Sequence, residues 1–146
     1  MNAEDFKNGQ VILIDKPLYW TSFQVVNKLR FAIKKKFGLK DLKVGHAGTL
    51  DPLATGLLIL CTGRLTKTID MLQAQEKEYN GTITLGGSTP SYDLETSVDR
   101  VYPYAHLTEA EIHDASKTFL GETEQLPPIF SAIKKDGVGM YELARK

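Results

Sequence analysis

The stretch GHAGTLDPLATGLLILC, residues 45–61, joins a glycine-rich loop to an uninterrupted apolar segment. A short apolar run bounded by turn residues, here residues 56–61, is typical of a strand that is buried on both faces or nearly so. Glycines at positions 45 and 48 let the backbone approach a ligand closely. Asp51 precedes a proline, which biases it away from helical geometry. The stretch therefore predicts a loop that carries a carboxylate directly ahead of a core strand.

Upstream of this loop, the patterns alternate strand and helix. Residues 11–14 are apolar and predict a short buried strand. A helix is predicted over residues 22–37, because a Thr-Ser pair at its start can cap it and Gly38 can stop it. Its core-facing stripe and its lysine-bearing face are opposite one another. A short strand over residues 43–46 then leads into the glycine-rich loop. The predicted stripe consists of Val26, Leu29 and Ile33.

Downstream, the pattern remains mixed. Thr66 is predicted to cap a short helix, and the alternation over residues 79–85 predicts a half-buried strand. Thr108 and Glu111 form a capping-box pattern before a helix. An extended segment over residues 129–135 precedes a turn, and the helical pattern resumes later. The sequence predicts one α+β domain over residues 1–146. The predicted core face of the capping-box helix is Ile112, Ala115 and Phe119, the turn is Asp136-Gly137, and the last helix starts at Tyr141.

Composition excludes several protein classes. The 146 residues are 42% hydrophobic and 25% charged, which is ordinary for a folded domain and unlike disordered or collagen-like chains. A single cysteine excludes an internal disulfide and a cysteine-based zinc site. No apolar run approaches the length of a membrane span, and the first residues lack a signal-peptide pattern. We expect a cytoplasmic protein with no membrane partner.

The formal net charge of zero hides an asymmetry along the chain. Residues 28–43 contain seven Lys or Arg against Asp41 alone, and residues 93–124 contain eight acidic side chains against two basic ones. A basic block with aromatics in it can track a phosphate backbone, or it can simply be a solvated helix face. The pattern leaves both interpretations open.

Asp51 is the candidate carboxylate for chemistry, with an Asx-turn as the structural alternative. His46 lies five positions earlier, so the pair could act in acid–base chemistry or bind a metal. A third donor at a ligand-like spacing is missing, which favours no metal. Tyr79 could stack on a base or serve as a core or edge aromatic. From the residues alone, no activity is identified.

Residues 45–56 resemble the signature of the TruB family of tRNA pseudouridine synthases. Four further segments resemble family motifs in the same order, so the resemblance covers nearly the whole chain. It implies the pseudouridine synthase fold, with a mixed, mainly antiparallel sheet and helices packed on it. It also implies isomerisation of the T-loop uridine (position 55) of tRNA to pseudouridine, without a cofactor. The four segments are residues 9–22, Thr66-Lys67, residues 77–79 and residues 125–145.

The resemblance also implies roles for individual residues. Asp51 would be the catalytic carboxylate, attacking ribose C1′ or base C6 or stabilising a ribosyl cation. Tyr79 would stack on the uracil and move a proton on the ribose, and His46 would hold the T loop with the base extruded. Asp93 would join the polar network of the site, or form a turn, and Lys134 would meet phosphate, or cover a strand edge. A structural brace under the pocket is expected from Asp15, Lys16 and Pro17.

Two departures from the family pattern qualify these expectations. Tyr19 stands where the family usually has glycine, which bears on the local turn. Family members also continue beyond residue 146, so we expect an incomplete catalytic domain that is inactive by itself and self-associates, from a monomeric parent. A non-catalytic module that binds the tRNA T arm is the main alternative function. A hydrolase built on Asp51 and His46 is the third.

Overall fold

The computed structural model describes residues 1–126 and the backbone of two short strands beyond them, Lys134–Lys135 and Val138–Gly139. The backbone forms two compact units, Met1–Tyr79 and Asn80–Lys146, and each is described by itself. The single domain expected over residues 1–146 stays a prediction. No helix in the described part of the chain is long and apolar enough to cross a membrane.

The first unit is organised around one sheet. Its elements are helix α1 (Ala3–Asn8), strand β1 (Val11–Lys16), helix α2 (Ser22–Phe37) and strands β2 (Val44–His46) and β3 (Gly56–Thr62). The three strands pair antiparallel in the order β1-β3-β2. The apolar strand that follows the glycine-rich loop is therefore the central strand, and the α+β prediction is confirmed.

Helix α2 has the predicted boundaries because both of its ends are capped. The Thr21 side chain accepts a hydrogen bond from the Gln24 amide, and the Gln24 side chain accepts one from the Thr21 amide, which completes a capping box. Gly38 adopts a left-handed conformation, with φ of 62°, and its amide donates to the Lys34 carbonyl.

The core lies between α2 and one face of the sheet. Val25 and Val26 pack with Leu58 and Leu60 of β3 in one buried cluster. A second cluster lies beside it and consists of Phe6, Ile33 and Leu42. Each fully buried aliphatic side chain contributes about 1.5–3 kcal/mol to folding. The α2–sheet layer therefore stabilises the loop that connects β2 to β3.

The burial predicted for the two apolar strands, on both faces or nearly so for residues 56–61, is only partly correct. Leu57 at the start of β3 is 61% exposed, and Leu13 of β1 is also exposed, because α2 covers only the opposite face of the sheet. Strand β1 also continues two residues further than predicted. Asp15 and Lys16 pair with Leu57 and Gly56, so both residues belong to the sheet.

The segment after β3 begins with a 3₁₀ helix, Gly63–Thr68, which leads into α3 (Ile69–Gln73). The prediction that Thr66 caps a helix is wrong. Its hydroxyl donates to the Gly63 carbonyl within the 3₁₀ helix, a local bond that competes with capping.

The prediction of a strand over residues 79–85, which begins at the last residue of the first unit, is wrong. These residues form no regular strand, because no described segment pairs with them, and Tyr79 is 70% exposed. The first strands of the second unit are β4 (Gly87–Ser88) and β5 (Arg100–Val101), which pair antiparallel.

Helix α4 (Glu109–Lys117) carries the predicted capping box between Thr108 and Glu111. Its predicted core face is wrong, since Ile112 and Phe119 are exposed and α4 has no buried residue. Strands β6 (Lys134–Lys135) and β7 (Val138–Gly139) pair antiparallel on either side of the predicted turn. The turn residues and the last predicted helix lie outside the described residues.

Candidate active site

The loop between β2 and β3, residues 47–55, lies at the N-terminal end of α2. The Ala47 amide donates to the Ile59 carbonyl, 2.8 Å away, where the loop leaves β2. Gly48 and Gly56 have φ of 102° and 117°, a region that side chains rarely adopt. Of the two glycines predicted to matter in this loop, Gly45 and Gly48, Gly48 therefore has a backbone conformation that requires glycine.

Ser22, the first residue of α2, fixes the middle of the loop. Its hydroxyl donates to the Leu50 carbonyl (3.1 Å) and accepts from the Leu50 amide (2.9 Å). Ser22 is buried, and Leu50 packs against the core cluster of α2 and β3. Because Leu50 immediately precedes Asp51, these two hydrogen bonds fix the position of the Asp51 backbone.

Asp51 itself is exposed, and its carbonyl accepts from the Ala54 amide in a turn. Within residues 1–126, no group donates a hydrogen bond to its carboxylate. The backbone of Asp51 is therefore held, whereas its carboxylate faces solvent and can reach a ligand.

Lys16 is fully buried beside this loop. Its ammonium donates to the carbonyls of Trp20 (2.6 Å) and Pro17 (3.1 Å). Burial lowers the pKa of the Lys16 ammonium below its ordinary value of 10.5, and attraction to the Asp51 carboxylate partly offsets that shift. A buried cation therefore lies close enough to Asp51 to interact with it electrostatically.

The segment held by Lys16 is tied to the loop through Tyr19. The Tyr19 amide donates to the Pro52 carbonyl, 2.7 Å away. Tyr19 has φ of 66°, the left-handed region that glycine occupies at little cost. Tyr19 thus adopts a conformation that favours glycine, at the position where the sequence departs from the family pattern. Asp15 is exposed on the sheet face opposite α2, and Pro17 contributes its carbonyl to Lys16.

His46 is the last residue of β2 and is half-buried. Its Nδ1 lies 2.6 Å from the Gly48 carbonyl oxygen. Because a carbonyl only accepts, Nδ1 carries a proton, and Nε2 remains for a further contact. The structure thus brings His46, Lys16 and Asp51 to the same loop.

The other predicted site residues, Tyr79, Asp93 and Lys134, lie outside this loop in the sequence. Tyr79 ends the first unit, exposed and outside regular structure. Asp93 lies in the second unit, where its carboxylate accepts from the Glu95 amide and its carbonyl accepts from two hydroxyl side chains. This geometry is that of the Asx-turn alternative. The backbone of Lys134 belongs to β6, and its side chain lies outside the described residues.

Sequence reasoning missed two contributors to the loop. Ser22 was predicted only as a possible helix cap, and the Trp20 carbonyl was not considered. A serine at the start of a helix is expected to cap it, so the sequence gives no signal for the contact of Ser22 with Leu50, 28 residues away. In the described part of the chain, no group of three or more His, Cys, Asp or Glu side chains could hold a metal ion.

Comparison with known proteins assigns this site to a family. The N-terminal domain of the TruB family of pseudouridylate synthases matches residues 34–146, which include the whole loop. The chain belongs to this family.

Relatives include the tRNA pseudouridine synthase B of Flavobacterium johnsoniae, 61% identical over 146 residues that cover 99% of this chain and 64% of the relative. The protein of the same name from Phocaeicola vulgatus is 55% identical over 142 residues, covering 97% of this chain and 60% of the relative. The chain thus spans a little under two thirds of the length of these relatives.

Proposed function

We propose that the protein carrying this chain isomerises the T-loop uridine of tRNA to pseudouridine, with Asp51 as the nucleophile. The observation that carries the proposal is the arrangement at residues 47–55, where a clamped backbone presents an exposed carboxylate beside a buried lysine. The names of the relatives, tRNA pseudouridine synthase B, support both the substrate and the reaction.

The reaction needs a group that attacks without first losing a proton. An aspartate is ionised near neutral pH and can act directly. In the C1′ route, a bond forms between an Asp51 oxygen and ribose C1′ while the C1′–N1 bond breaks, and the uracil leaves with the bonding electrons. After the uracil turns, C5 attacks C1′ and Asp51 is displaced. The proton on C5 is then lost to a base and N1 takes up a proton, so the product is an isomer of the starting uridine. Attack at C6 is the alternative route.

The remaining candidates take supporting roles in this proposal. Tyr79 stacks on the extruded uracil and moves a proton on the ribose, and His46 uses Nε2 to hold the opened T loop. Flipping the base costs a few kcal/mol, which such contacts offset. Asp93 and Lys134 contribute polar and phosphate contacts, and Asp15, Lys16 and Pro17 brace the loop. The protein acts in the cytoplasm on tRNA, as a monomer, over a single catalytic domain that includes residues 1–146.

The test uses RNA labelled with tritium at uridine C5, since the isomerisation removes the hydrogen from that carbon. We expect Asp51→Asn and Asp51→Ala to lower tritium release from a T-arm transcript by at least about a thousandfold, the scale seen when a nucleophile is removed. Asp70→Asn, an exposed acid on α3, is the matched control and retains activity.

Binding of the same transcript, measured in parallel, separates the two main hypotheses. We expect the Asp51 variants to bind the RNA with nearly unchanged affinity. Near-normal tritium release from either variant would reject Asp51 as the nucleophile. Tight binding without tritium release from the unmodified protein would favour the non-catalytic T-arm-binding module.

A further inference from the structure

The outer side of helix α2, opposite the core, carries an open groove. Two open depressions of about 370 and 490 Å³ lie next to each other along the helix and share Asn27 and Phe31 as lining residues. We call them together the α2 groove. Its lining includes Trp20 at one end, Phe31 in the middle, and Arg30, Lys34 and Lys35 towards the other end.

The groove connects the candidate active site to a basic region. Trp20 belongs to the segment that Lys16 holds beside the Asp51 loop. From Ser22 to Lys35, a helix rises about 20 Å. The basic end of the groove is therefore too far from Asp51 to contact the target nucleotide itself.

The charge of the groove is unbalanced. Helix α2 contains no acidic residue, and none of Lys28, Arg30, Lys34 and Lys35 forms an ion pair with any residue from 1 to 126. Arg30 and Lys34 are four residues apart on the helix, a like-charge spacing that destabilises it. The macrodipole favours lysines in the last turn but does not explain the cations further back. A bound polyanion would relieve this repulsion.

The aromatic side chains of the groove are also exposed to solvent. Phe31 is 65% exposed although it lies in the middle of a folded helix, and Trp20 is partly exposed. Proteins that bind single-stranded nucleic acid combine aromatic rings, on which bases stack, with a positive groove that follows the backbone. RNA recognition depends especially on such unpaired bases.

We propose that the α2 groove binds an unpaired nucleotide of the substrate RNA outside the target uridine. Phe31 stacks on its base, and Arg30, Lys34 and Lys35 contact the neighbouring phosphates. This proposal rests on the proposed function for the identity of the RNA. It adds a second contact that increases affinity without taking part in the bond exchange.

The test measures binding to a tRNA transcript, to a single-stranded oligoribonucleotide of twelve uridines, and to an RNA duplex of the same length. We expect Phe31→Ala to weaken binding of the tRNA and the single strand by at least about fivefold. Binding of the duplex should change less than twofold. Because Phe31 is exposed and alanine favours helices, thermal unfolding of this variant should be unchanged.

Lys36→Gln is the matched control for the cations, because Lys36 follows Lys35 but does not line the groove, and its ammonium lies 5.6 Å from the centre of the Phe37 ring. Replacing Lys34 and Lys35 together by Gln should lower the slope of log affinity against log salt by about 1.4 for the single strand. We expect Lys36→Gln to lower the slope by clearly less than about 0.7, which is half of the change expected for the double variant.

Failure of this proposal can be distinguished from failure of the proposed function, because the groove is tested by RNA affinity and Asp51 is tested by tritium release. Unchanged affinity of Phe31→Ala for tRNA and for the single strand would overturn the groove proposal. An effect of Lys36→Gln on the salt slope as large as that of a groove lysine would also overturn it, because all lysines of the helix would then act equally through a diffuse electrostatic field. So would a loss of duplex affinity in Phe31→Ala equal to its loss of single-strand affinity. Single-turnover tritium release by Phe31→Ala should fall with its affinity at low tRNA concentration, and a large loss that persists at saturating tRNA would overturn the proposal by assigning Phe31 to the bond exchange.

Discussion

The two ends of helix α2 are built in different ways. At its N-terminal end, Ser22 and the Tyr19 amide hold the Asp51 loop through hydrogen bonds to its backbone, and buried Lys16 holds the segment that carries Tyr19. At its C-terminal end, the last turn carries three lysines, and the helix ends at a glycine cap, Gly38. The difference indicates that positioned chemistry requires a fixed backbone, whereas attraction to a polyanion requires only charge and access.

The strongest test of this contrast is Lys16→Met. The variant removes the ammonium that holds the Pro17 and Trp20 carbonyls, so the segment that ties the Asp51 loop through the Tyr19 amide loses an anchor. Misplacement of a reacting group by about an ångström can cost a hundredfold, and we expect turnover to fall on that scale. Stability should change by less than about 2 kcal/mol, since lost hydrogen bonds are offset by removal of a buried charge. Tritium release and urea unfolding measure the two effects, and a parallel loss of both would contradict a positioning role.

Lys16 also predicts a pH dependence of stability. Its pKa is lowered in the folded protein, so between that pKa and 10.5 the unfolded chain binds more protons than the folded one. The free energy of unfolding of the unmodified protein should therefore rise with pH in this window relative to Lys16→Met, by at most about 1.4 kcal/mol per pH unit. If the difference in free energy of unfolding between the two proteins does not change with pH up to 10.5, burial does not lower the pKa of Lys16.

Ser22→Ala should have the next largest effect. The variant leaves the Leu50 amide and carbonyl without the Ser22 hydroxyl, at a cost of about 1–3 kcal/mol in stability, and we expect turnover to fall about tenfold. Gly38→Ala is the control at the other end of α2. It costs about 1 kcal/mol, because φ is 62° there, but it meets no neighbouring atom and should leave turnover unchanged. An equal loss of turnover in both variants would erase the contrast between the two ends.

The smallest effect is expected for Tyr19→Gly. Relief of the left-handed strain, about 1–2 kcal/mol, is largely offset by the entropy that glycine adds to the unfolded chain, so stability should change by less than about 1 kcal/mol. The Tyr19 amide keeps its bond to Pro52, so turnover should be retained. Tyr92→Gly is the control, since Tyr92 has φ of 61° and is exposed in the second unit. A loss of turnover confined to Tyr19→Gly would give the tyrosine ring a role in the site.

Local patterns predicted those parts of the fold that neighbours in sequence specify. The caps of α2 and α4 involve residues three positions apart, and both are present as predicted. Two predictions that depended on a distant surface were wrong: residues 79–85 have the alternation of a strand but no described partner, and the predicted core face of α4 is exposed. Alternation shows that a segment can pair or pack, but it does not supply the partner.

By itself, the sequence determined the α+β class, the boundaries of α2, the central apolar strand and Asp51 as the candidate carboxylate, because each follows from short-range periodicity, capping or a local motif. Only the tertiary structure decided that Ser22 clamps Leu50, that Lys16 is buried beside Asp51, and that the Tyr19 amide bonds to the Pro52 carbonyl. These contacts join segments about thirty residues apart. Their free energy depends on burial and hydrogen-bond geometry, which exist only after the sheet and α2 have packed together.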